Sequence, residues 1–341
     1  MLQADRIITL AAGPYRLRAP LAGSAYGLVW RAQAPCGADV ALKLVNREQM
    51  ARAQSAQQRL WSDSADKEIA FLRTLAPWDE RHIVRLLDSG LHDGLPVMAL
   101  ELMDSDLARR LAGERNAARP VALSQVLAWM AQVNQALAKV HQYGWLYLDL
   151  KPANLLIQGA MIKLADFGAS RPACEAAPTG YAGTASWQAP EQFFPNADGV
   201  YDTDARTDYF ALGAVFYYMV TGGLQLRFCS DCGNAYRDNP ATAAAALLAR
   251  HGLTLPRTLH ADEAALFARR IGQLPGGAED STWCPGPAAP AAAPALALLR
   301  TLLAPERDGR PQHAIHISRM IAGAAAAGAV APQTLCSMGL A

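Results

Sequence analysis

The chain has 341 residues, 52% of them hydrophobic and 18% charged, with a formal net charge of +1. That size and composition fit one large or two medium globular domains and exclude wholesale disorder. The near-neutral balance gives no electrostatic basis for binding nucleic acid or a membrane surface. Met1 to Arg6 leads into a short apolar run, Ile7 to Ala12, which Gly13-Pro14 breaks, so nothing there reads as a signal peptide. The longest apolar stretch, Met320 to Val330, is rich in Ala and Gly and stops at Pro332. It falls short of the roughly 20 residues of a membrane span. A soluble, cytoplasmic protein is expected, and the heavy use of alanine points to a bacterial source.

The first hundred residues alternate β-rich runs with turn signals. Leu28 to Arg31 and Val40 to Val45 read as strands joined by the turn Cys36-Gly37-Ala38-Asp39. From Ser64 to Leu75 the apolar residues Ile69, Leu72 and Leu75 recur with helical period. Ile83 to Leu87 and Pro96 to Leu102 again read as strands, with a turn at His92-Asp93-Gly94. After Asp104 the pattern becomes helical. Ser124 is the expected N-cap of a helix whose face carries Val126, Met130, Val133, Leu137 and Val140, and Gly144 ends it. Thr207 and Asp208 open a second long helix, Tyr209 to Val220, apolar almost all round and therefore buried. The segment 223–294 reads as an irregular insertion with a Pro/Ala-rich end, helical character resumes at Ala295 to Leu303, and the tail from Ala322 reads as loosely ordered.

Six cysteines in such a chain do not suggest a disulfide framework. Cys36, Cys174 and Cys336 stand alone, whereas Cys229 and Cys232 form a single C-x-x-C. A structural zinc site there would need two further ligands, drawn from Cys284 and a histidine such as His251 or His260. A reduced, unliganded pair is the expectation, with Zn²⁺ at Cys229 and Cys232 kept as the alternative. His313 and His316 are expected to be ordinary helix-surface residues.

The chemistry is concentrated in Tyr147-Leu148-Asp149-Leu150-Lys151-Pro152-Ala153-Asn154, followed by Asp166-Phe167-Gly168. These runs offer a carboxylate, an ammonium, a carboxamide and a second carboxylate on two strand–loop segments. Phosphoryl transfer from a magnesium-bound nucleotide needs that set, because positioning and charge neutralisation do nearly all of the catalysis. Upstream stand Leu21-Ala22-Gly23-Ser24-Ala25-Tyr26-Gly27-Leu28-Val29, Val40-Ala41-Leu42-Lys43 and the helical Lys67-Glu68-Ile69. Downstream stand Gly183-Thr184, Ala189-Pro190-Glu191 and Asp308-Gly309-Arg310-Pro311. In this order, over about residues 15–320, the chain resembles eukaryotic-type (Hanks-type) serine/threonine protein kinases.

The resemblance implies an α+β, two-lobe fold over 1–320. An N-lobe of about 1–101 would hold a small antiparallel sheet with one main helix. A hinge at 101–104 would lead to a mainly helical C-lobe of about 105–320 with the enlarged insertion at 223–294, followed by an Ala-rich tail at 321–341. It also implies the cofactors ATP and Mg²⁺, a protein substrate carrying Ser or Thr, and room for a regulatory partner protein. Leu21, Ala22, Gly23, Ser24 and Gly27 would approach the phosphates, although Ala22 and Ser24 occupy two of the three usual glycine places. Lys43 would hold the α- and β-phosphates while paired with Glu68. Leu100 would be the gatekeeper, the backbone of Glu101 and Met103 would read adenine, and Val29, Ala41 and Leu156 would wall the slot. Asp149 would be the catalytic base, Lys151 would neutralise the γ-phosphoryl charge, and Asn154 and Asp166 would be ligands of magnesium. Thr184 would belong to the catalytic set, Arg310 would pair with Glu191, and Asp208 would hold the backbone of the catalytic loop.

One departure carries a consequence. Leu148 stands where many kinases have an arginine that gathers a phosphorylated activation-segment residue. A leucine cannot do so, which implies that phosphate on Thr179, Thr184 or Ser186 is not needed. Ala22, Ser24 and Leu148 also leave open a scaffold that keeps the fold without transferring phosphate.

Overall fold

In this computed structural model the chain forms two compact units, Met1–Ser105 with Lys163–Ser170, and Asp106–Ile162 with Arg171–Ala341. The structure describes residues 3–23, 27–51, 55–117, 119–176, 178, 181–274 and 291–330, without the side chains of 55–60 and 329–330. Ser24, Thr179, Cys284 and Cys336 lie outside the described residues.

The first unit is an antiparallel sheet carrying a helix. Its strands are β1 (Ile7–Leu10), β2 (Gly13–Gly23), β3 (Gly27–Gln33), β4 (Asp39–Val45), β5 (Leu86–His92) and β6 (Leu95–Glu101), in the order β1-β2-β3-β4-β6-β5. Side chains alternate between faces, so the register sorts them. Val40, Leu42, Leu44, Val97 and Ala99 turn to one face and bury it with Ile8, Leu10, Tyr15 and Leu17. The two edges of the sheet meet. The Ala12 amide and the Tyr15 hydroxyl both donate to Asp88, at 2.9 and 3.0 Å, and a Cβ on Gly90 would lie 3.2 Å from Leu10 Cδ2. β1 thus covers what would otherwise be an open edge. Helix α1 (Arg47–Met50), capped by Asn46, and helix α2 (Ser55–Thr74) follow β4.

The second unit is helical. Its helices are α3 (Leu107–Asn116), α4 (Leu123–Gln142), α5 (Pro190–Phe193), α6 (Ala205–Val220), α7 (Arg227–Asp238), α8 (Ala243–Arg250), α9 (Ala261–Ile271), α10 (Ala292–Leu302) and α11 (Ala314–Val330). α6 is buried along nearly its whole length, as its all-round apolar sequence predicts. Gly213 brings α6 against α10, since a Cβ there would sit 2.8 Å from that of Leu302. Asn134 ties α4 to α11 through Ala314 O and Ser318 Oγ, at 2.9 and 3.0 Å. No helix among the described residues is long and apolar enough to cross a membrane.

Several expectations are corrected. Ser124 lies inside α4, whose N-cap is Ala122, because the extended backbone of Ala122 leads straight into the first turn at Leu123. α6 starts two residues before Thr207, at a capping box in which the Asp204 carboxylate accepts amides and Thr207 Oγ1 accepts the Asp204 amide at 3.1 Å. Ile83 makes only an isolated bridge to Leu164, and β5 begins at Leu86. The segment 223–294 is not irregular where it is described, since α7, α8 and α9 occupy much of it. From Ala322 to Val330 the chain continues α11, where Ile317, Ile321 and Ala324 are buried at helical spacing and alanine has the highest intrinsic helix propensity. His313 precedes α11, although both it and His316 are exposed. Residues 163–170, placed by sequence in the helical lobe, group with the sheet.

Candidate active site

In the sheet unit three predicted residues come together. Val29 lies opposite Lys43 and Ala41 opposite Leu100, so all four share the sheet face that does not hold the core cluster. Lys43 Nζ donates to Glu68 Oε2 of α2 at 2.6 Å and to Asp166 Oδ1 at 2.7 Å. Burial opposes the charge on Lys43, yet Asp166 and Glu68 outweigh it and hold the ammonium above its ordinary pKa. Glu68, almost fully buried, is shifted up by that burial, and Asp166's charge adds to the rise that Lys43 opposes. Phe71 of α2 stacks on Phe167 with ring centroids 4.5 Å apart, which fixes the residue after Asp166. Asp166 has φ +62, in the left-handed region that aspartate tolerates better than most residues.

Leu100 and Met103 are buried, and Val29 and Ala41 are partly exposed. Leu21, Ala22 and Gly23 end β2 and Gly27 opens β3, with Ala22 and Gly23 exposed. Glu101 has a second role that sequence did not suggest. Its carboxylate accepts the ammonium of the buried Lys163 at 2.6 Å and the amide of Arg85 at 2.8 Å, while Lys163 also donates to Glu80 O. The end of β6 is thereby pinned to the strand that leads into Asp166. A lone lysine in an apolar run looks solvated, so Lys163 carried no signal.

In the helical unit four predicted residues converge. Asp149 Oδ2 accepts Lys151 Nζ at 2.7 Å and Asn154 Nδ2 at 3.0 Å, while Oδ1 accepts Thr184 Oγ1 at 2.6 Å. Lys151 Nζ also donates to Thr184 Oγ1 at 2.7 Å, closing a ring of three side chains. Asn154 Nδ2 makes a further bond to Asp149 O at 2.9 Å. The Asn154 amide nitrogen is therefore spent, leaving its oxygen as the donor atom it can offer to a cation. Leu156 lies just beyond, in the strand Leu155–Gln158, and is partly buried.

The loop carrying Asp149 is held by its backbone. The Tyr147 and Leu148 amides donate to Asp208 at 2.9 and 2.7 Å, and His141 Nε2 lies 2.8 Å from the same carboxylate. Leu148 has φ +64, strained for a leucine, and Gln192 donates to its carbonyl at 2.6 Å. Gly183 has φ +98, and a Cβ there would strike Leu148 O and Gln188 Nε2, both at 2.7 Å, so only glycine fits beside Thr184. Arg310, wholly buried, donates twice to Glu191 at 2.7 and 3.0 Å.

The zinc alternative meets a different geometry. Cys229 and Cys232 are one turn apart on α7, both fully buried, and burial pushes both thiols up, away from the thiolate a metal needs. His251 follows α8 and His260 precedes α9, and no group of three metal-ligating side chains gathers among the described residues. The spacing is that of a helix face rather than a knuckle.

The sheet unit thus bears a Lys–Glu–Asp cluster and the helical unit an Asp–Lys–Asn–Thr cluster. Residues 22–311 match the family described as protein kinase domain, and the chain belongs to it. Among individual proteins, it is 34% identical over 220 residues to the serine/threonine-protein kinase PkaA of Streptomyces coelicolor, covering 61% of this chain and 39% of that one. It is 34% identical over 154 residues to PknL of Mycobacterium tuberculosis (44% and 37%) and 30% over 203 residues to human cyclin-dependent kinase 20 (58% and 54%). The chain spans about two-fifths to about half of the length of these relatives.

Proposed function

We propose that this protein is a serine/threonine protein kinase that transfers the γ-phosphoryl group of Mg-ATP to protein hydroxyls. The observation that carries the reading is the ring of Asp149, Lys151 and Thr184, because it leaves a carboxylate and an ammonium fixed side by side. The acceptor oxygen forms its bond to the γ-phosphorus as the bond to the β–γ bridging oxygen breaks, and ADP leaves. Asp149 orients the hydroxyl and takes its proton. Lys151 balances charge on the transferring group, and Lys43, held by Glu68, does so on the other phosphates.

Asp166 and Asn154 are the residues that would hold magnesium, and both fit. Asp166 offers a partly exposed carboxylate and Asn154 its amide oxygen, oxygen donors of the kind a hard cation takes. The ion's chemistry is to neutralise phosphate charge. Glu101 and Met103 read adenine through the backbone, against Leu100, Val29, Ala41 and Leu156.

Activity is proposed not to depend on phosphorylation of the activation segment. Leu148 has no charge to offer, and the buried Arg171 is committed to neutral partners. Its guanidinium donates to Pro172 O, Glu175 O and Thr203 Oγ1, the last at 2.9 Å. Partners are proposed to be protein substrates and a regulatory protein, as the name of the cyclin-dependent relative suggests, in a cytoplasmic setting.

Magnesium-dependent ATP turnover by the wild type and by Lys43→Met tests this reading. The account expects turnover that the substitution removes. Folded wild type that binds ATP without turning it over would instead be a scaffold.

A further inference from the structure

The acceptor-side segment is gripped by a helix that nothing in the reaction requires. On one flank of Thr184, Tyr181 stacks on Tyr236 of α7, with centroids 4.5 Å apart, and meets Phe193 and Tyr201 edge-on. On the other flank, Gln225 Nε2 donates to Ser186 O at 2.6 Å, its own amide oriented by Ser230 Oγ at 3.2 Å. Gly233 lies in the middle of α7, where glycine costs about 1 kcal/mol relative to alanine. Its reason is contact: a Cβ there would lie 2.8 Å from Ser186 Cβ. Trp187 closes the far end, edge-on to Tyr218 at 5.3 Å.

We propose that α7 is a built-in brace of the acceptor-side segment, with Gly233, Gln225 and Tyr236 as positioning residues that keep Thr184 on Asp149 and Lys151 without a phosphate. The proposal rests on the kinase reading for its activity readout. It gives physical content to the absence of charge at Leu148. Stacking and neutral hydrogen bonds between elements of one unit do the ordering that a phosphate–arginine contact does elsewhere. The buried Cys229 and Cys232 lie one turn before Gly233 and Tyr236, on the same side of α7.

The test uses the full chain in four forms: wild type, Gly233→Ala, Ser186→Gly, and the double variant. Gly233→Ala raises the intrinsic helix propensity of α7, so a loss cannot come from weakening the helix. It is expected to lower kcat/KM for an acceptor protein by about tenfold or more while KM for ATP stays within about twofold. Ser186→Gly, which removes the atom struck, is expected to restore the double variant. Amide exchange at 182–188 should follow the same order, protected in the wild type, faster in Gly233→Ala and protected again in the double variant. Equal acceptor kinetics in wild type and Gly233→Ala, or a double variant no better than Gly233→Ala, overturns the brace. Wild type that transfers no phosphate would overturn the kinase reading, and the exchange pattern would still decide the brace. Should Gly233→Ala fail to fold, Gln225→Ala, which deletes the bond to Ser186 O together with the one from Ser230 Oγ, is read by the same two measurements.

Discussion

The Asp149 carboxylate accepts from Lys151, Asn154 and Thr184, and each bond limits what it can do. Lys151 and Asn154 occupy Oδ2, and Thr184 holds Oδ1, so the carboxylate is fixed before an acceptor arrives. Asp149→Asn should lower phosphoryl transfer by about 10²–10⁴-fold with nucleotide binding retained, measured as kcat at saturating ATP. Thr184→Ala removes the bond that joins the segment to the base and should lower kcat as well. Thr179→Val with Ser186→Ala should leave the rate near that of the wild type after phosphatase treatment. Loss of activity in that folded double variant would contradict independence from phosphorylation. The grouping of Lys151 and Asn154 on Asp149 was legible because all three stand in one short run of the sequence. Lys163, Gln188, Gln192 and Gln225 were not legible, because what they satisfy are backbone carbonyls and a carboxylate brought near only by folding.

Among elements, β1 and α7 separate what the sequence announces from what packing decides. β1 is four residues with a weak signal, yet Ala12 in the turn after it and Tyr15 of β2 tie that side of the sheet to Asp88 of β5. Burial first, then the bond to Asp88, lifts the Tyr15 phenol from its ordinary 10 to about 12. The folded state therefore keeps a proton that the unfolded chain sheds above pH 10. The stability this supplies is present below pH 10 and is lost as pH rises to about 12. Tyr15→Phe should flatten that part of the loss, measured as the denaturation midpoint at both ends of the window. α7 was not legible in the segment 223–294, which reads as irregular with Cys229 and Cys232 as a single C-x-x-C. Phe228, Cys229, Cys232 and Ala235, all buried, are in fact the apolar stripe of a helix. The same applies to α11, whose alanines looked like low complexity. Glu191 and Arg310 were paired correctly from sequence, across more than a hundred residues. Arg310→Ala leaves Glu191 and several carbonyls without their partner and should cost about 3–5 kcal/mol, read by chemical denaturation.

At the scale of the whole molecule, each of the two units carries a cluster of its own. The sheet unit carries Lys43, Glu68 and Asp166, and the helical unit carries Asp149, Lys151, Asn154 and Thr184. Each set is formed by hydrogen bonds inside its own unit. The two-unit plan was legible from the change of period near Asp104, while the assignment of 163–170 to the sheet unit was not, since it depends on the Ile83–Leu164 bridge and the Lys163–Glu101 pair. The most direct measurement is transfer of labelled γ-phosphate from Mg-ATP to an acceptor protein, run beside Asp149→Asn, with the phosphorylated residue identified. The account predicts phosphoserine or phosphothreonine from the wild type and at least about a hundredfold less from Asp149→Asn. Equal transfer by the two proteins, or phosphate found on neither serine nor threonine, would contradict it.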